Sequence, residues 1–434
     1  MQTKNQRISV VTLGCSKNIV DSEFIMRQLQ ASNFQVMHNS NDKVDIVLIN
    51  TCGFIGDAKE ESIAMILKYA EEKQQGHIQK LFVFGCLSER YRLELETEIP
   101  EVDGFFGVNE FKSVVQILGA KYRSELLGER MLTTPSHYAF LKISEGCSWG
   151  CSYCAIPLIR GKHLSRTVEQ LVQEAEKLAT AGVKELIVIA QDTTFYGMDL
   201  YGKRRISELL NQLSTIAGIE WIRLHYAFPY QFPDDLIDTI ALNPKICSYL
   251  DIPFQHISDI VLKNMHRGIS KADTYDLIGR LRAKIPNLAL RTTLLVGHPG
   301  EGAAEFEELC KFVQEVKFDR LGVFPYSEEE GTFAANNLED TLSTEEKIRR
   351  AGIIMKLQQK ISEGLNADKV GKSYQVLIDS EDDEFYLGRT QYDSPEVDGE
   401  VLIKKKNEKH LEIGNFYEVE IVDSLEYDLI GRVK

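Results

Sequence analysis

Six of the eight cysteines in this 434-residue chain fall into two groups of three. Cys147, Cys151 and Cys154 stand together in ISEGCSWGCSYCAIPLIRG, with no histidine or further cysteine adjoining them. Cys15, Cys52 and Cys86 are far apart, yet each closes the same kind of segment: TLGC, INTC and VFGC, with a glycine beside the thiol. Thiolates are soft ligands that select zinc, copper(I) or iron–sulfur clusters. A structural zinc site is closed by four ligands, whereas a [4Fe–4S] cluster takes one thiolate on each iron. Three thiols on such a cluster leave one iron open to an outside ligand. Cys247 (NPKICSYL) and Cys310 (EELCKFV) lie in apolar surroundings and are expected to be packing residues.

The elements that must position these thiols follow from periodicity. Over residues 7–122, the β-branched or aromatic runs ISVVTL, DIVLIN and KLFVFG alternate with IVDSEFIMRQLQ and AKEESIAMILKYAEEK, whose apolar residues recur every three to four positions. Strands alternating with helices predict a parallel sheet covered on both faces. Ligands bind such sheets at the carboxyl ends of the strands, where Cys15, Cys52 and Cys86 all fall and should converge. Residues 133–365 supply six more strand candidates: YAFLKIS, ELIVIA, WIRLHY, SYLDIP, LALRTTLLV and RLGVFPY. Helical stretches separate most of them, including TVEQLVQEAEKLATAG with Thr167 and Gln170 as a capping box. Ser343 and Glu346 predict a second box at the closing helix. Six such units predict an incomplete (β/α)6 barrel, with the cysteine loop after its first strand, on the face that carries active sites.

Residues 368–434 change to the short strands SYQVLID, FYLGRTQY, GEVLI, FYEVEIVD and YDLIGRV, joined by the turns DSEDDE, SPEVDG and KKKNEKH. They predict a small five-stranded antiparallel β-barrel of the oligonucleotide-binding type. The fold class is therefore α/β, with a parallel-sheet domain, an open barrel and a small β-barrel in sequence.

Charge narrows the partners. The net charge of −15 argues against a partner held mainly through phosphates. From Lys369 onward there are nine basic against sixteen acidic side chains, with Asp382, Asp383 and Glu384 in one turn. That balance suits a basic protein better than RNA. No apolar run approaches the ~18 residues of a membrane span, and MQTKNQRISVVTLGC enters a strand without the apolar core of a leader. A cytoplasmic protein is expected, in which clustered cysteines serve as ligands rather than disulfides.

The spacing Cys147-x3-Cys151-x2-Cys154, with Tyr153 before the last thiol, resembles the signature of radical S-adenosylmethionine enzymes. The whole chain is similar to the methylthiotransferases, whose C-terminal module is called TRAM. Within them, TLGCSKNIVDSE resembles the branch that modifies ribosomal protein S-twelve. EGCSWGCSYCAIPLIRGKHLSR, YLDIPFQH and VGHPGE resemble further family blocks, with His298 standing where a Phe is common. The resemblance implies two [4Fe–4S] clusters, an auxiliary one on Cys15, Cys52 and Cys86 and a radical-generating one on Cys147, Cys151 and Cys154. It implies one S-adenosylmethionine as methyl donor and a second as the source of a deoxyadenosyl radical. The product would be an aspartate of S-twelve methylthiolated at its β-carbon. An electron donor such as flavodoxin or ferredoxin and a substrate-recognising TRAM module are also implied. An unactivated C–H bond offers no acidity to a side-chain base, so no catalytic residue beyond the clusters is expected. Cofactor contacts are expected from Tyr153, Gln191, Asp192 and Gln255, and from Arg291 as a strand-end fork for the cofactor carboxylate. His225 and His256 are expected to be structural. Two alternatives stay open: a methylthiotransferase acting at position 2 of a tRNA adenosine, and a zinc-stabilised RNA-binding protein.

Overall fold

The computed structural model describes residues 6–407 and 410–434. Glu408 and Lys409 of the KKKNEKH turn, and the first five residues of the N-terminal stretch, lie outside that range. The three strands read in the N-terminal segment are present as β1 (Arg7–Thr12), β3 (Ile46–Thr51) and β4 (Lys80–Gly85). Two short edge strands join them, β2 (Gln35–His38) and β5 (Gly104–Phe106), in the order β2-β1-β3-β4-β5, with every pair parallel. Every residue of β3 is buried, as a strand covered on both faces requires. The helix α1 (Ser16–Gln30) covers one face through Ile25, Met26 and Leu29. The other face is covered by α2 (Gly56–Gln74) through Ile66 and by α3 (Cys86–Glu98) through Leu87 and Leu95.

The central segment forms six parallel strands in chain order: β6 (Tyr138–Lys142), β7 (Glu185–Ile189), β8 (Trp221–Leu224), β9 (Ile246–Asp251), β10 (Ala289–Val296) and β11 (Arg320–Pro325). The sheet stays open between β11 and β6. Its outer face and the flanking helices share one large apolar core, which includes Leu141, Val188, Leu224, Leu250 and Leu294. The capping box at Thr167 and Gln170 is complete. At Ser343 only half of the expected box forms, with the hydroxyl accepting from the Glu346 N–H. The Glu346 carboxylate is drawn instead to Arg349 and Arg350.

The last segment closes into a barrel of β12 (Ser373–Glu381), β13 (Phe385–Thr390), β14 (Val401–Lys404), β15 (Phe416–Ser424) and β16 (Leu429–Val433), in the order β12-β13-β14-β16-β15. It is not wholly antiparallel as expected, because β14 and β16 pair in parallel. An odd number of strands cannot close a ring in which every neighbour alternates direction. This barrel docks on the floor of the central sheet, at the amino ends of its strands. Leu377 packs with Trp221, Cys247, Tyr249 and Ala289. The fully buried carboxylate of Glu185, the first residue of β7, accepts from Arg223 and from Arg389 of the small barrel, each at 2.8 Å. His137 pairs with Asp379 at 2.7 Å. The helix Thr344–Ala367 joins the two ends of the molecule. Arg350 near its start holds Glu301 at 2.6 Å, and Asn366 near its end reaches the carbonyl of Leu425 at 3.3 Å.

Candidate functional site: two thiol triads at one junction

The first triad sits where three adjacent strands end. Cys15 caps the start of α1 directly after β1, Cys52 follows β3, and Cys86 opens α3 directly after β4. Their approach depends on glycine. Gly14 has φ +87°, and a Cβ there would lie 2.7 Å from Cys52 Cβ and 3.0 Å from its Sγ. Only a residue without a side chain satisfies both conditions. Burial raises the Cys52 thiol and pushes that of Cys86 up to about 12, with Arg160 pulling the other way. Thiols held this way release protons when they take up metal.

The second triad occupies the loop after β6. Gly146 (φ +72°) passes so close to the chain at Gly161 and Lys162 that a Cβ would meet the Lys162 carbonyl at 2.2 Å. Cys147 N–H donates to Gly161 O at 3.0 Å, and Ser152 N–H donates to Met265 O at 3.0 Å. Trp149 stacks on Phe228 with centroids 4.7 Å apart and donates its indole N–H to Asp192 at 2.6 Å. Arg267 reaches Cys151 Sγ at 3.5 Å and the Tyr153 hydroxyl at 3.4 Å. Burial pushes Cys147 and Cys154 up to about 12.

All the donors in both triads are thiols, the soft set suited to iron–sulfur centres. Among the described residues, no three His, Cys, Asp or Glu side chains are grouped tightly enough to chelate a single ion. A closed zinc site needs its ligands around one ion. A cubane takes each thiolate on a different iron and so spreads them wider.

The triads meet. Cys86 packs against Ala155 and Ile159, and Ala155 is the residue after Cys154. Arg160 spans the same gap, donating to Cys86 Sγ at 3.4 Å, Asn18 Oδ1 at 2.6 Å, Asp21 Oδ2 at 3.3 Å and Glu145 Oε1 at 2.8 Å. Lys142 closes the network onto Asp21 and Glu145. A second latch joins the N-terminal domain to the loop after β11, where Glu329 accepts from Lys59 at 3.0 Å and Arg90 at 2.8 Å. The two latches lie beside β6 and β11, the two edges of the open sheet.

The expected cofactor residues divide by position. Gln191 lies beside the junction, donating to Glu145 at 3.0 Å, while its buried Oε1 has no partner among the described residues. Gln255 adopts φ +71° and bridges to β10 through Thr293 and Leu295. Asp192 is committed to Trp149 and to Thr194, so its contacts hold the cysteine loop. Arg291 does not stand at a strand end. It is the third residue of the eight in β10, on the side of the small barrel, and its fork is taken by Asp251 at 3.2 Å and Asp398 at 3.4 Å.

His225, His256 and His298 are each held by protein partners. His225 bonds Ser394 at 2.9 Å, and burial holds its pKa well below the ordinary range. His256 Nδ1 accepts from Ser258 N–H at 3.0 Å, leaving Nε2 to face Glu301 at 3.3 Å. His298, in place of the common Phe, donates from Nδ1 to Pro299 O at 3.0 Å and accepts from Ser152 Oγ at 3.2 Å. Burial lowers its pKa to about 4, so it braces the loop as a neutral ring. Sequence reasoning missed Arg160, Arg267, Lys17 and Glu329. For Lys17 and Arg160 the one signal was the density of polar residues in SKNIVDSE, where Lys17, Asn18, Asp21, Ser22 and Glu23 are all buried; Arg267 and Glu329 carried none.

The open barrel and its cysteine loop define a radical S-adenosylmethionine enzyme, here joined to a second thiol triad on a parallel sheet. Residues 141–313 match the Radical SAM superfamily, residues 7–107 the uncharacterized protein family UPF0004, and residues 370–433 the TRAM domain. The chain is 54% identical over 431 residues to the ribosomal protein uS12 methylthiotransferase RimO of Bacteroides fragilis, covering 99% of this chain and 100% of that one. It is 53% identical to the RimO of Flavobacterium johnsoniae, covering 99% and 98%. Among solved structures, the radical S-adenosylmethionine methyltransferase TsrM of Kitasatospora setae superposes with TM-score 0.55 at 13% identity, covering 76% of this chain and 77% of that one. The cobalamin-dependent enzyme OxsB superposes with TM-score 0.53 at 12% identity, covering 81% and 56%. These two show the fold alone. The chain belongs to the ribosomal protein uS12 methylthiotransferase (RimO) family and is a transferase of methylthio groups.

Proposed function

We propose that this enzyme installs a methylthio group on the β-carbon of an aspartate in small-subunit ribosomal protein uS12, in the cytoplasm. In this reading residues 7–122 carry a [4Fe–4S] cluster on Cys15, Cys52 and Cys86. Residues 133–365 carry a second on Cys147, Cys151 and Cys154, and residues 368–434 form the TRAM domain. The observation that supports it best is the meeting of two three-thiol sets across Cys86, Ala155 and Arg160. When bound, the clusters and S-adenosylmethionine supply the electron, the methyl group and the radical chemistry that an unactivated C–H bond requires. The chain's own residues orient and exclude water. Trp149 with Asp192, Ser152 with His298, and Arg267 with Cys151 fix the cysteine loop. Tyr153, Gln191 and Gln255 line the place for S-adenosylmethionine. The Lys142–Asp21–Arg160–Glu145 network fixes the N-terminal domain over it. A flavodoxin or ferredoxin is the electron donor in this reading.

The acidic balance of the TRAM domain favours a basic protein over a tRNA adenosine. Anaerobically reconstituted enzyme is incubated with a uS12 peptide and, separately, with tRNA, and the products are read by mass spectrometry. A methylthiolated aspartate with unchanged tRNA is expected. Modified tRNA with an unchanged peptide overturns the reading.

A further inference from the structure

Lys17 lies two residues beyond Cys15, on the first turn of α1. It is 7% exposed, and its ammonium sits 3.0 Å over the ring centroid of Tyr226. Among the described residues its side chain has no hydrogen bond and no ion pair; besides the ring contact, its charge is felt by the nearby His225 imidazole, which is no counter-charge. A buried ammonium is costly unless it is paired, and a cation–π contact offsets only part of that cost.

The carboxylates around it are committed elsewhere. Asp21, one turn further along α1 and the usual partner for a helical lysine, is bound to Lys142 and Arg160. Glu145 serves the same two cations and Gln191. Asp251 holds Arg291 and the backbone N–H of Tyr226. His225 is bonded to Ser394.

Tyr226 is itself constrained. It follows the carboxyl end of β8 with φ +57°, unusual for a bulky side chain. Thr193 N–H donates to its carbonyl at 3.0 Å and Asp251 accepts from its N–H at 3.3 Å, which fixes that conformation. Backbone strain of this kind gathers at functional sites. Behind the pair, Val20, Tyr138, Phe140, Ile187 and Ile189 form an apolar cluster against which Ile19 and Tyr226 pack. Among the described residues, Lys17 is thus a cation without an ion-pair partner between the Cys15 triad and the carboxyl end of β8, beside an apolar wall.

We propose that Lys17 binds the side-chain carboxylate of the aspartate that is modified, so that the adjacent β-carbon is held between the two triads. This rests on the reading of a uS12 aspartate as substrate. A carbon next to a carboxylate brings an anion into the site with it. The reacting carbon of a nucleobase brings none, so Lys17 also selects protein over nucleic acid.

The test is a double-mutant cycle on the cluster-loaded, full-length enzyme. Anaerobic calorimetry measures the binding of a uS12 peptide carrying the target Asp and of its Asn counterpart, to wild type, Lys17→Met and Lys17→Gln. Wild type should prefer the Asp peptide by roughly ten- to a hundredfold. Both variants should lose that preference and bind the Asn peptide as wild type does. Iron content reports that each variant is loaded, and the second neutral variant covers a packing defect in the first. A flat wild-type preference, or an unchanged preference in an iron-loaded variant, overturns the assignment even while wild type forms product. A wild-type enzyme that neither binds nor methylthiolates the Asp peptide overturns the substrate reading, and the role of Lys17 with it.

Discussion

At Gly14 a single side-chain atom decides the approach of two thiols. Its left-handed backbone and the 2.7 Å gap to Cys52 leave no room for a methyl group, so Gly14→Ala should push Cys52 away from its neighbours. Iron analysis of the reconstituted variant should show about half the wild-type iron, with the Cys147 triad still loaded. Gly150, inside the CSWGC loop, offers the contrast. Nothing lies within 4 Å of a Cβ placed there, and its φ is outside the left-handed range. Gly150→Ala should therefore keep its full iron. The spacing of the thiols was legible from the chain because it is covalent. The neighbours that hold the thiols were not, since Arg160, Arg267 and Asp192 act across loops that the linear order keeps apart.

At the scale of elements, the buried set of Glu185, Arg223 and Arg389 fastens the TRAM barrel to the floor of the central sheet. Removing one partner of a buried ion pair strands the charge that remains. Glu185→Gln leaves Arg223 buried without a carboxylate, while Arg389 keeps Asp379. It should lower the stability by about 3–5 kcal/mol, read as a shift of the denaturation midpoint. The strands with continuous apolar or β-branched character were recognisable, and all fourteen quoted runs form strands. The edge strands β2 and β5 were not. They have four and three residues and are largely half-exposed, so they carry no uninterrupted apolar run. The acidic stretch between β12 and β13 was read as a turn carrying surface charge, without a role for its individual carboxylates. Asp382 in fact accepts from the N–H groups of Glu384 and Phe385 and shapes the turn. Asp383 and Glu384 are the positions at which charge can be reversed without breaking it.

For the whole molecule, the decisive feature is that the N-terminal domain grips both edges of an open barrel. Arg160 and Lys142 hold it beside β6, and Glu329 holds it beside β11. Radical transfer tolerates little misplacement, as a shift of about 1 Å can cost a hundredfold in rate. Glu329→Ala removes the carboxylate that Lys59 and Arg90 share, leaving Arg90 its bond to the Glu330 carbonyl, and leaves both triads intact. The ratio of methylthiolated product to deoxyadenosine should fall by on the order of tenfold, with iron content unchanged. An unchanged ratio would mean that the Arg160 side alone sets the geometry.

The chain by itself determined what short-range order can determine. The two thiol triads, the alternation of strands and helices, the six-strand barrel and the acidic five-strand module all follow from local spacing and composition. Only the tertiary structure decided which charges are buried and what they meet. Arg291 turned from the expected cofactor fork to a TRAM carboxylate, and the small barrel took one parallel pair to close. Lys17, two residues from a thiol and unremarked in the sequence, became the one buried cation at the junction without a counter-charge among the described residues. The physical reason is that periodicity reports which face of an element is apolar. The fate of a buried charge depends on partners hundreds of residues away that folding alone brings within reach.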